Sequence, residues 1–254
     1  MNPAGTAAVV TGGASGLGAG TARALAAVGA RVAIFDRDAD NAAAVAAEIG
    51  GSAHVCDVAD EAAVTAALDE ARRHHGDIRI LVTCAGIGTA KRVIGRDGPM
   101  PLADFERIIR VNLIGTFNVT RLIAHHMSAL EPLDGGERGV VAQTASVAAF
   151  DGQVGQAAYS ASKGGVVALT LPLAREFAQF GIRIVTIAPG VFATPLLNEL
   201  PPEIQASLAA SVPFPKRLGV PADFAELTLS IVRNGYLNGE TIRLDGALRL
   251  PPRH

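Results

Sequence analysis

The chain has 254 residues, of which 49% are hydrophobic and 18% charged, and its formal net charge at pH 7 is −2. A chain of this length and apolar content can bury a sizeable core, which excludes an intrinsically disordered protein. The near-neutral charge, without long runs of one sign, argues against a nucleic-acid platform.

Short β-branched runs alternate with longer amphipathic segments along the whole chain. The apolar runs begin near residues 6, 31, 53, 78, 139, 182 and 241, and helices are predicted at about 16–29, 39–49, 60–74, 103–130, 158–180 and 222–233. This alternation predicts an α/β fold, with a parallel sheet of about seven strands and helices on both faces. Since no linker divides the chain, we expect residues 1–254 to form a single doubly wound, Rossmann-type domain.

A glycine-rich loop, VVTGGASGLGAG, connects the first predicted strand to the first helix. Gly12, Gly16 and Gly18 form the pattern T-G-x-x-x-G-x-G there. Glycines at these positions allow a tight turn and bring helix N-terminal amides close to a pyrophosphate. The loop predicts a dinucleotide site, with a turn that only improves helix–strand packing as the alternative.

Acidic residues end the second and third predicted strands. Asp36 can accept hydrogen bonds from ribose hydroxyls and repel a 2′-phosphate, which favours NAD over NADP. Arg37 argues in the other direction, whereas Ser15, which is not basic, again favours NAD. Asp57 either binds the adenine amino group or caps the helix that follows.

One tyrosine and one lysine carry the predicted chemistry. In "AAYSASKGG", Tyr159 and Lys163 are four residues apart, so on a helix they lie on the same face. At ~5 Å and an effective dielectric of ~20, the lysine charge would favour the phenolate by about 3 kcal/mol, or about two pKa units. Ser146 ends the fifth predicted strand, thirteen residues before Tyr159.

Together with Asn112 in "VNLIGTFNV", this Ser–Tyr–Lys set resembles the short-chain dehydrogenase/reductase family over essentially the whole chain. The resemblance implies that Tyr159 exchanges a proton with a substrate oxygen while hydride passes to or from a nicotinamide. It also implies that Ser146 and Gln156 contact the substrate, that Lys163 holds the nicotinamide ribose, and that Asn112 supports a water chain. The implied NAD-binding residues are Gly12, Ser15, Gly16, Leu17, Gly18, Asp36, Asp57, Val58, Ala85, Gly86, Tyr159, Lys163, Pro189, Val191 and Thr194.

One position departs from the family pattern. After the fourth strand the family usually has asparagine in "N-x-A-G", whereas this chain reads Thr83-Cys84-Ala85-Gly86. The missing amide puts the strand-bracing hydrogen bonds in question, although Thr83 could replace some of them. We expect Cys84 to have a packing role.

Other segments resemble family members that oxidise 3-hydroxyacyl-CoA thioesters with NAD, and this resemblance also implies a homotetramer. Lys91, Arg92 and Arg96 in the loop 89–101 could attract the CoA phosphates or be ordinary solvated charges. Residues 191–217 are predicted to form a substrate lid or to pack between subunits. A ketoacyl-carrier-protein, steroid or general ketone reductase is the alternative enzyme, and a non-catalytic NAD-binding sensor or scaffold is the alternative outside enzymes.

The sequence also predicts the compartment. No apolar run reaches the roughly 18 residues of a membrane span, and the start "MNPAGTAAVVTGG" lacks the basic segment of a signal peptide. Cys56 and Cys84 are too few for a disulfide scaffold, which favours reduced thiols in the cytoplasm. The adjacent histidine pairs 74–75 and 125–126 point in different directions on a helix, so no metal site is expected.

Overall fold

The computed structural model describes residues 1–88, 90–96, 98–194, 197 and 202–252, except for the side chains of residues 202 and 204. A seven-stranded sheet lies at its centre, with neighbouring strands parallel. In chain order the strands are β1 (Ala7–Thr11), β2 (Arg31–Asp36), β3 (Ser52–Val55), β4 (Ile78–Thr83), β5 (Gly139–Thr144), β6 (Ile182–Pro189) and β7 (Thr241–Leu244).

Helices cover both faces of the sheet. The helices are α1 (Gly16–Ala27), α2 (Ala39–Ile49), α3 (Glu61–His75), α4 (Leu102–Ile109), α5 (Thr116–Ser128), α6 (Ala157–Phe177), α7 (Pro202–Ser211) and α8 (Pro221–Arg233). Apolar side chains of α1, α2 and α8 pack against one face, and those of α3, α5 and α6 against the other. Every residue of β1, β5 and β6 is buried, as expected for strands covered on both sides. The predicted fold class is confirmed.

Three elements differ from the sequence prediction. The predicted helix 103–130 is interrupted by a π-helical turn, Arg110–Gly115, which contains Asn112; such turns are frequent at functional sites. A short antiparallel hairpin, Ile94–Gly95 with Gly98–Pro99, lies in the predicted loop. Helix α7 lies in the predicted lid. The hairpin strands have two residues each and α7 has no marked apolar stripe, so these elements carry little periodic signal.

The sheet order positions the site. The strands lie in the order β3-β2-β1-β4-β5-β6-β7, so the chain moves outward from β1 to β3 and then returns to the other side of β1. The direction of strand addition therefore reverses between β1 and β4. In such sheets a crevice opens at the carboxyl ends of the strands at this point. Among the described residues, none of the helices is long and apolar enough to cross a membrane.

Candidate active site

The glycine loop has the backbone geometry that a phosphate site requires. Gly12 and Gly16 have positive φ angles of 67° and 52°, which residues other than glycine rarely adopt. A Cβ on Gly18 would lie 2.1 Å from the carbonyl oxygen of Gly12. In α1, all of which the structure describes, the first turn carries no acidic residue. The helix N-terminus, with Ser15 at its cap and Leu17 in its first turn, is therefore suited to an anion.

Asp36 links the end of β2 to this loop. Its two carboxylate oxygens accept hydrogen bonds from the backbone amides of Ala14 and Asp38, each at 3.0 Å. A carboxylate has about four acceptor sites, so both oxygens can still accept bonds from ribose hydroxyls. The chemistry of this corner fits an adenosine with an unmodified ribose.

Asp57 does not cap α3, so that alternative is wrong. The N-cap is Asp60, whose Oδ1 accepts from the amide of Ala63 at 3.0 Å. Asp57 instead accepts from the amide of Ala59 at 2.9 Å, which forms a tight turn before the helix. The neighbouring Val58 is buried. Asp57 therefore remains available at the carboxyl end of β3, where the adenine role was predicted.

The loop after β4 is braced by Thr11 and not by Thr83. The hydroxyl of Thr11 accepts from the amide of Ala85 at 3.2 Å, and its carbonyl accepts from the amide of Cys84 at 3.0 Å. The buried Thr83 hydroxyl has no partner among the described residues. The expectation that Thr83 replaces the asparagine bonds is thus wrong, because a threonine hydroxyl extends only one atom beyond Cβ.

Cys84 is not a nucleophile in this setting. Burial raises the pKa of its thiol to about 11, so the thiol is protonated at neutral pH and lacks the reactivity of a thiolate. Its sulfur lies 3.6 Å from the Thr144 hydroxyl. The packing role predicted for Cys84 agrees with this environment.

Ser146, Tyr159 and Lys163 converge beside the ends of β4 and β5. Ser146 lies two residues beyond β5, with its hydroxyl on the side of the Tyr159 phenol. Tyr159 is in the first turn of α6, and the Lys163 ammonium lies 5.9 Å from the centre of its ring. The Lys163 Nζ donates to the carbonyl oxygen of Thr144 at 2.9 Å. This bond uses one of its three protons and fixes the side chain.

Asn112 fixes the loop next to Tyr159. Its Nδ2 donates to the carbonyl oxygen of Ile87 at 2.8 Å and to the Ser162 hydroxyl at 3.1 Å. Its Oδ1 accepts from the amide of Ile87 at 2.8 Å. A Cβ on Gly86 would lie 3.2 Å from that Oδ1 and 3.6 Å from Lys163 Nζ. The space beside Gly86 therefore opens directly onto the lysine.

Burial changes the acid–base properties of the tyrosine and the lysine. It raises the pKa of Tyr159, and the hydrogen bond from Ser146 offsets part of the rise. It lowers the pKa of Lys163 to about 8. The expectation that Lys163 brings the Tyr159 pKa below its ordinary value is therefore wrong for the protein alone. Burial disfavours the charged form of both groups, so the phenolate is penalised and Lys163 loses its proton at a lower pH. A further positive charge is needed to favour the phenolate.

The buried lysine has a measurable consequence for stability. Lowering a lysine pKa from 10.5 to about 8 costs about 3 kcal/mol of folding free energy below pH 8. Between pH 8 and 10.5 the unfolded chain holds a proton that the folded chain lacks, so this cost disappears as pH rises. We expect Lys163→Met to raise the free energy of unfolding at pH 7 by about 1–3 kcal/mol, after loss of the Thr144 bond. Urea unfolding without cofactor from pH 7 to 10 measures this.

The control is Lys216→Met. Lys216 is exposed and bonds only the carbonyl of Ala210 among the described residues, so its loss should leave stability nearly unchanged. A Lys163→Met protein less stable than the parent at pH 7, or one whose difference from it does not shrink at higher pH, would contradict the expected cost.

The remaining predicted residues line the same edge. Pro189 ends β6, and Val191 is held to the backbone amide of Gly219 at 3.0 Å. Thr194 is half-buried, and its carbonyl accepts from the amide of Leu197. Gln156 caps α6 from outside, with both amide atoms of its side chain bonded to Gln153. Residues 195–196 and 198–201 of the predicted lid lie outside the described part of the chain.

Only some of the positive charges in the loop 89–101 are available to a ligand. Lys91 forms an ion pair with Asp104, and its backbone amide donates to the carbonyl of Gly155 at 2.9 Å. Arg92 and Arg96 are exposed. The loop therefore borders the segment that leads to Tyr159, with the two arginines facing solvent.

Sequence reasoning missed several residues of the site. Ser162 and the backbone of Ile87 bond the Asn112 side chain, the Thr144 carbonyl bonds Lys163, and Thr11 bonds the loop after β4. Thr11 carried a signal, since it stands directly before the glycine loop. Backbone acceptors carry none, because any residue type supplies the same carbonyl group.

Known proteins are similar to this chain over most of its length. The family profile described as short chain dehydrogenase matches residues 6–205. The 3-hydroxyacyl-CoA dehydrogenase type-2 of Bos taurus is 52% identical over 252 residues, which cover 98% of this chain and 97% of that protein.

Two solved structures have the same fold. The 3-hydroxyacyl-CoA dehydrogenase type-2 from Mycobacterium avium superposes with a TM-score of 0.94 at 44% identity, covering 98% of this chain and 97% of that one. The 3-ketoacyl-(acyl-carrier-protein) reductase from Brucella melitensis, complexed with NADH, superposes with a TM-score of 0.87 at 33% identity, covering 97% and 99%. The chain therefore belongs to the short-chain dehydrogenase/reductase family of oxidoreductases.

Proposed function

We propose that the chain uses NAD to interconvert 3-hydroxyacyl-CoA and 3-oxoacyl-CoA thioesters. The observation that carries the reaction type is the convergence of the buried Ser146 and Lys163 on Tyr159, with Lys163 Nζ 5.9 Å from the centre of the tyrosine ring. The substrate class rests on the similarity to 3-hydroxyacyl-CoA dehydrogenase type-2 over nearly the whole length of both chains.

The residues of the crevice fit a dinucleotide. Gly12 and Gly18 leave no room for side chains at the N-terminus of α1, and Asp36 keeps spare acceptor sites at the end of β2. Lys163 keeps two of its protons for acceptors in the crevice, which suits the nicotinamide ribose hydroxyls. When bound, NAD supplies the hydride acceptor or donor. The complex of the Brucella melitensis relative with NADH supports this choice.

Tyr159 transfers the proton. In ketone reduction its protonated phenol donates to the substrate oxygen, and in alcohol oxidation its phenolate removes the hydroxyl proton. Ser146 accepts from the amide of Ala148 at 3.1 Å, which leaves its own proton to donate to the substrate oxygen. Lys163 stabilises the phenolate in the moments when Tyr159 lacks its proton.

Asn112 holds the loop that borders Tyr159 and Lys163. The predicted water chain for proton release would start beside it. Its side-chain bonds to Ile87 and Ser162 keep the loop after β4 against Tyr159 and Lys163. The predicted water chain through Asn112 would continue from the Lys163 ammonium toward solvent. Because both Nδ2 protons of Asn112 are already donated within the protein, such a chain would meet Asn112 at one of its carbonyl oxygens.

The experiment that tests this function is an initial-rate comparison of acetoacetyl-CoA and an acetoacetyl group on acyl carrier protein, each with NADH. Faster turnover of the CoA thioester is expected. Preference for the carrier-protein thioester would favour the reductase alternative. Cofactor preference does not separate the two, because the carrier-protein reductase relative is itself complexed with NADH. Tight NADH binding without turnover of thioesters, steroids or small ketones would instead favour a non-catalytic sensor.

The loop arginines provide a substrate-specific prediction. Because Arg92 and Arg96 are exposed in a loop whose Lys91 amide bonds Gly155, ahead of Tyr159, we propose that they attract the CoA phosphates. The double substitution Arg92→Ala, Arg96→Ala should raise KM for acetoacetyl-CoA by about 3- to 10-fold at low salt, and less at high salt. KM for ethyl acetoacetate, which lacks CoA, should not change.

Arg107→Ala is the matched control, since Arg107 is also exposed but lies on α4. Equal changes in KM for both substrates would reject the loop as a CoA contact. Lys91 is left intact because Asp104 already pairs with it.

We also propose the homotetramer that the resemblance implies. Three consecutive elements each expose a large apolar side chain. Leu102 on α4 is 69% exposed, Ile114 on the π-helical turn 49% and Phe117 on α5 41%. Apolar side chains grouped on one exposed helical surface are typical of subunit interfaces.

A further inference from the structure

The segment between Ser146 and Tyr159 is held by contacts that the proposed reaction does not use. It comprises a 3₁₀ turn, Val147–Ala149, and residues 150–156, and it leads directly into α6. Ser146 precedes the segment and Tyr159 follows it. The conformation of the segment therefore sets the distance between their two hydroxyl groups.

Gln153 lies at the centre of these contacts and is only 6% exposed. Its Nε2 donates to the carbonyl oxygen of Pro251 at 2.9 Å, and its Oε1 lies 3.4 Å from the Nε2 of Gln156. Its backbone amide donates to the Oε1 of Gln156, and its carbonyl accepts from the Gln156 amide, both at 3.0 Å. Each polar group of this buried residue is thus bonded, and most of the bonds go to Gln156.

Gln156 in turn sets the start of α6. It is the N-cap residue of the helix, and its carbonyl accepts from the amide of Ser160 at 2.7 Å. Tyr159 lies within this first turn. A displacement of Gln156 would therefore move the phenol relative to Ser146, which sits on the end of β5.

Two further contacts anchor the same segment to the chain beyond β7. The amide of Val154 donates to the carbonyl oxygen of Pro252 at 3.1 Å. Asp151 forms an ion pair with Arg243, whose guanidinium also donates to the carbonyl of Leu248 at 3.0 Å. Residues 243–252 thus hold the segment from one side along its length.

We propose that Gln153 is a positioning residue of the catalytic centre: it ties Gln156 to Pro251 and thereby fixes Tyr159 next to Ser146. It contacts neither substrate nor cofactor in the proposed function, on which its kinetic test rests. Its effect is on the geometry of proton transfer, whereas the pyrophosphate and adenosine contacts proposed for Gly12, Gly18 and Asp36 lie on or next to β1, α1 and β2.

The kinetic test replaces Gln153 by leucine, which has a similar volume but makes no hydrogen bond. We expect kcat for acetoacetyl-CoA to fall about 10- to 100-fold, as for other displacements of a catalytic group by about 1 Å. The Kd for NADH should stay within about threefold of the parent's value, because the fold is retained. A loss of structure across the whole domain would raise this Kd much more. Gln153→Glu keeps the acceptor for Gln156 but loses the donor to Pro251, so an intermediate kcat is expected. This variant also serves if Gln153→Leu does not fold.

Gln179→Leu is the matched control, because Gln179 is exposed beyond α6 and should tolerate the same change. A kcat within twofold of the parent for both Gln153 variants, or a loss of NADH affinity parallel to the loss of kcat, would overturn the proposal.

A second readout needs no substrate and so separates this proposal from the proposed function. In a Tyr236→Phe background Tyr159 is the one remaining tyrosine of the chain, and its ionisation can be followed by tyrosinate absorbance. Because the Ser146 hydrogen bond lowers the pKa of Tyr159, Gln153→Leu should raise that pKa. An unchanged titration would overturn the positioning role, whereas absence of acetoacetyl-CoA turnover in the parent protein would overturn only the proposed function.

Discussion

Replacing Tyr159 by phenylalanine should lower kcat for acetoacetyl-CoA reduction by about 10³-fold, because the change removes the proton donor and retains the ring. The ring packs beside Gly88, where a Cβ atom would lie 3.9 Å from the Tyr159 Cε2. NADH affinity and the free energy of unfolding should therefore change little. Steady-state rates, NADH fluorescence titration and urea unfolding together measure the three quantities.

The chain offers a matched control in Tyr236→Phe, the same chemical change at a residue that is 98% exposed. This variant should retain full activity. A Tyr159→Phe protein that turns over at a rate near that of the parent would remove Tyr159 from the proton transfer.

Replacing Asp36 by alanine should shift the preference for NADH over NADPH by on the order of 100-fold. The ribose hydroxyls lose hydrogen bonds to a charged acceptor, worth about 1.5–3 kcal/mol, so Kd for NADH rises about 10-fold or more. The 2′-phosphate of NADPH loses a repulsive neighbour, so its Kd falls. Binding titrations with both dinucleotides measure the ratio directly.

Asp38→Ala is the control for the loss of one negative charge nearby. Asp38 is exposed and caps α2 through the amide of Asn41 at 3.1 Å, so its loss should cost about 1 kcal/mol of stability without changing the cofactor ratio. Asp36→Ala also frees the amides of Ala14 and Asp38, and some loss of stability is expected there too. An unchanged ratio in Asp36→Ala would remove this carboxylate from the discrimination between the cofactors.

Much of the fold could be predicted because its sheet is parallel and covered on both faces. Such strands read as continuous apolar runs, which the runs near residues 7, 31, 139 and 182 illustrate, and helices between them have a clear apolar stripe. The break of the long helix at Arg110–Gly115 carries no such signal. It contains weak helix formers such as Gly115, but low propensity alone does not predict a π-helical turn, in which Asn112 makes its tertiary contacts.

The positions of the candidate catalytic residues were predictable from spacing, whereas their pKa shifts were not. Tyr159 and Lys163 share one helical face as their i, i+4 spacing requires. The direction of the Tyr159 pKa shift depends on burial by residues far apart in sequence, which spacing does not encode. The bracing role of Thr11 and the lack of a partner for the Thr83 hydroxyl within the described chain have the same cause, since each depends on which strand lies beside β4.

The most direct test is the ionisation of Tyr159 with and without the oxidised dinucleotide. The chain has two tyrosines and no tryptophan, so a Tyr236→Phe variant reports on Tyr159 alone through its tyrosinate absorbance. Without NAD⁺ the pKa should lie above its ordinary value of about 10, because burial disfavours the phenolate. With saturating NAD⁺ it should fall by about one unit or more, since the nicotinamide cation attracts the negative phenolate. A titration curve that NAD⁺ leaves in place would contradict a phenol that becomes a base beside the bound cofactor.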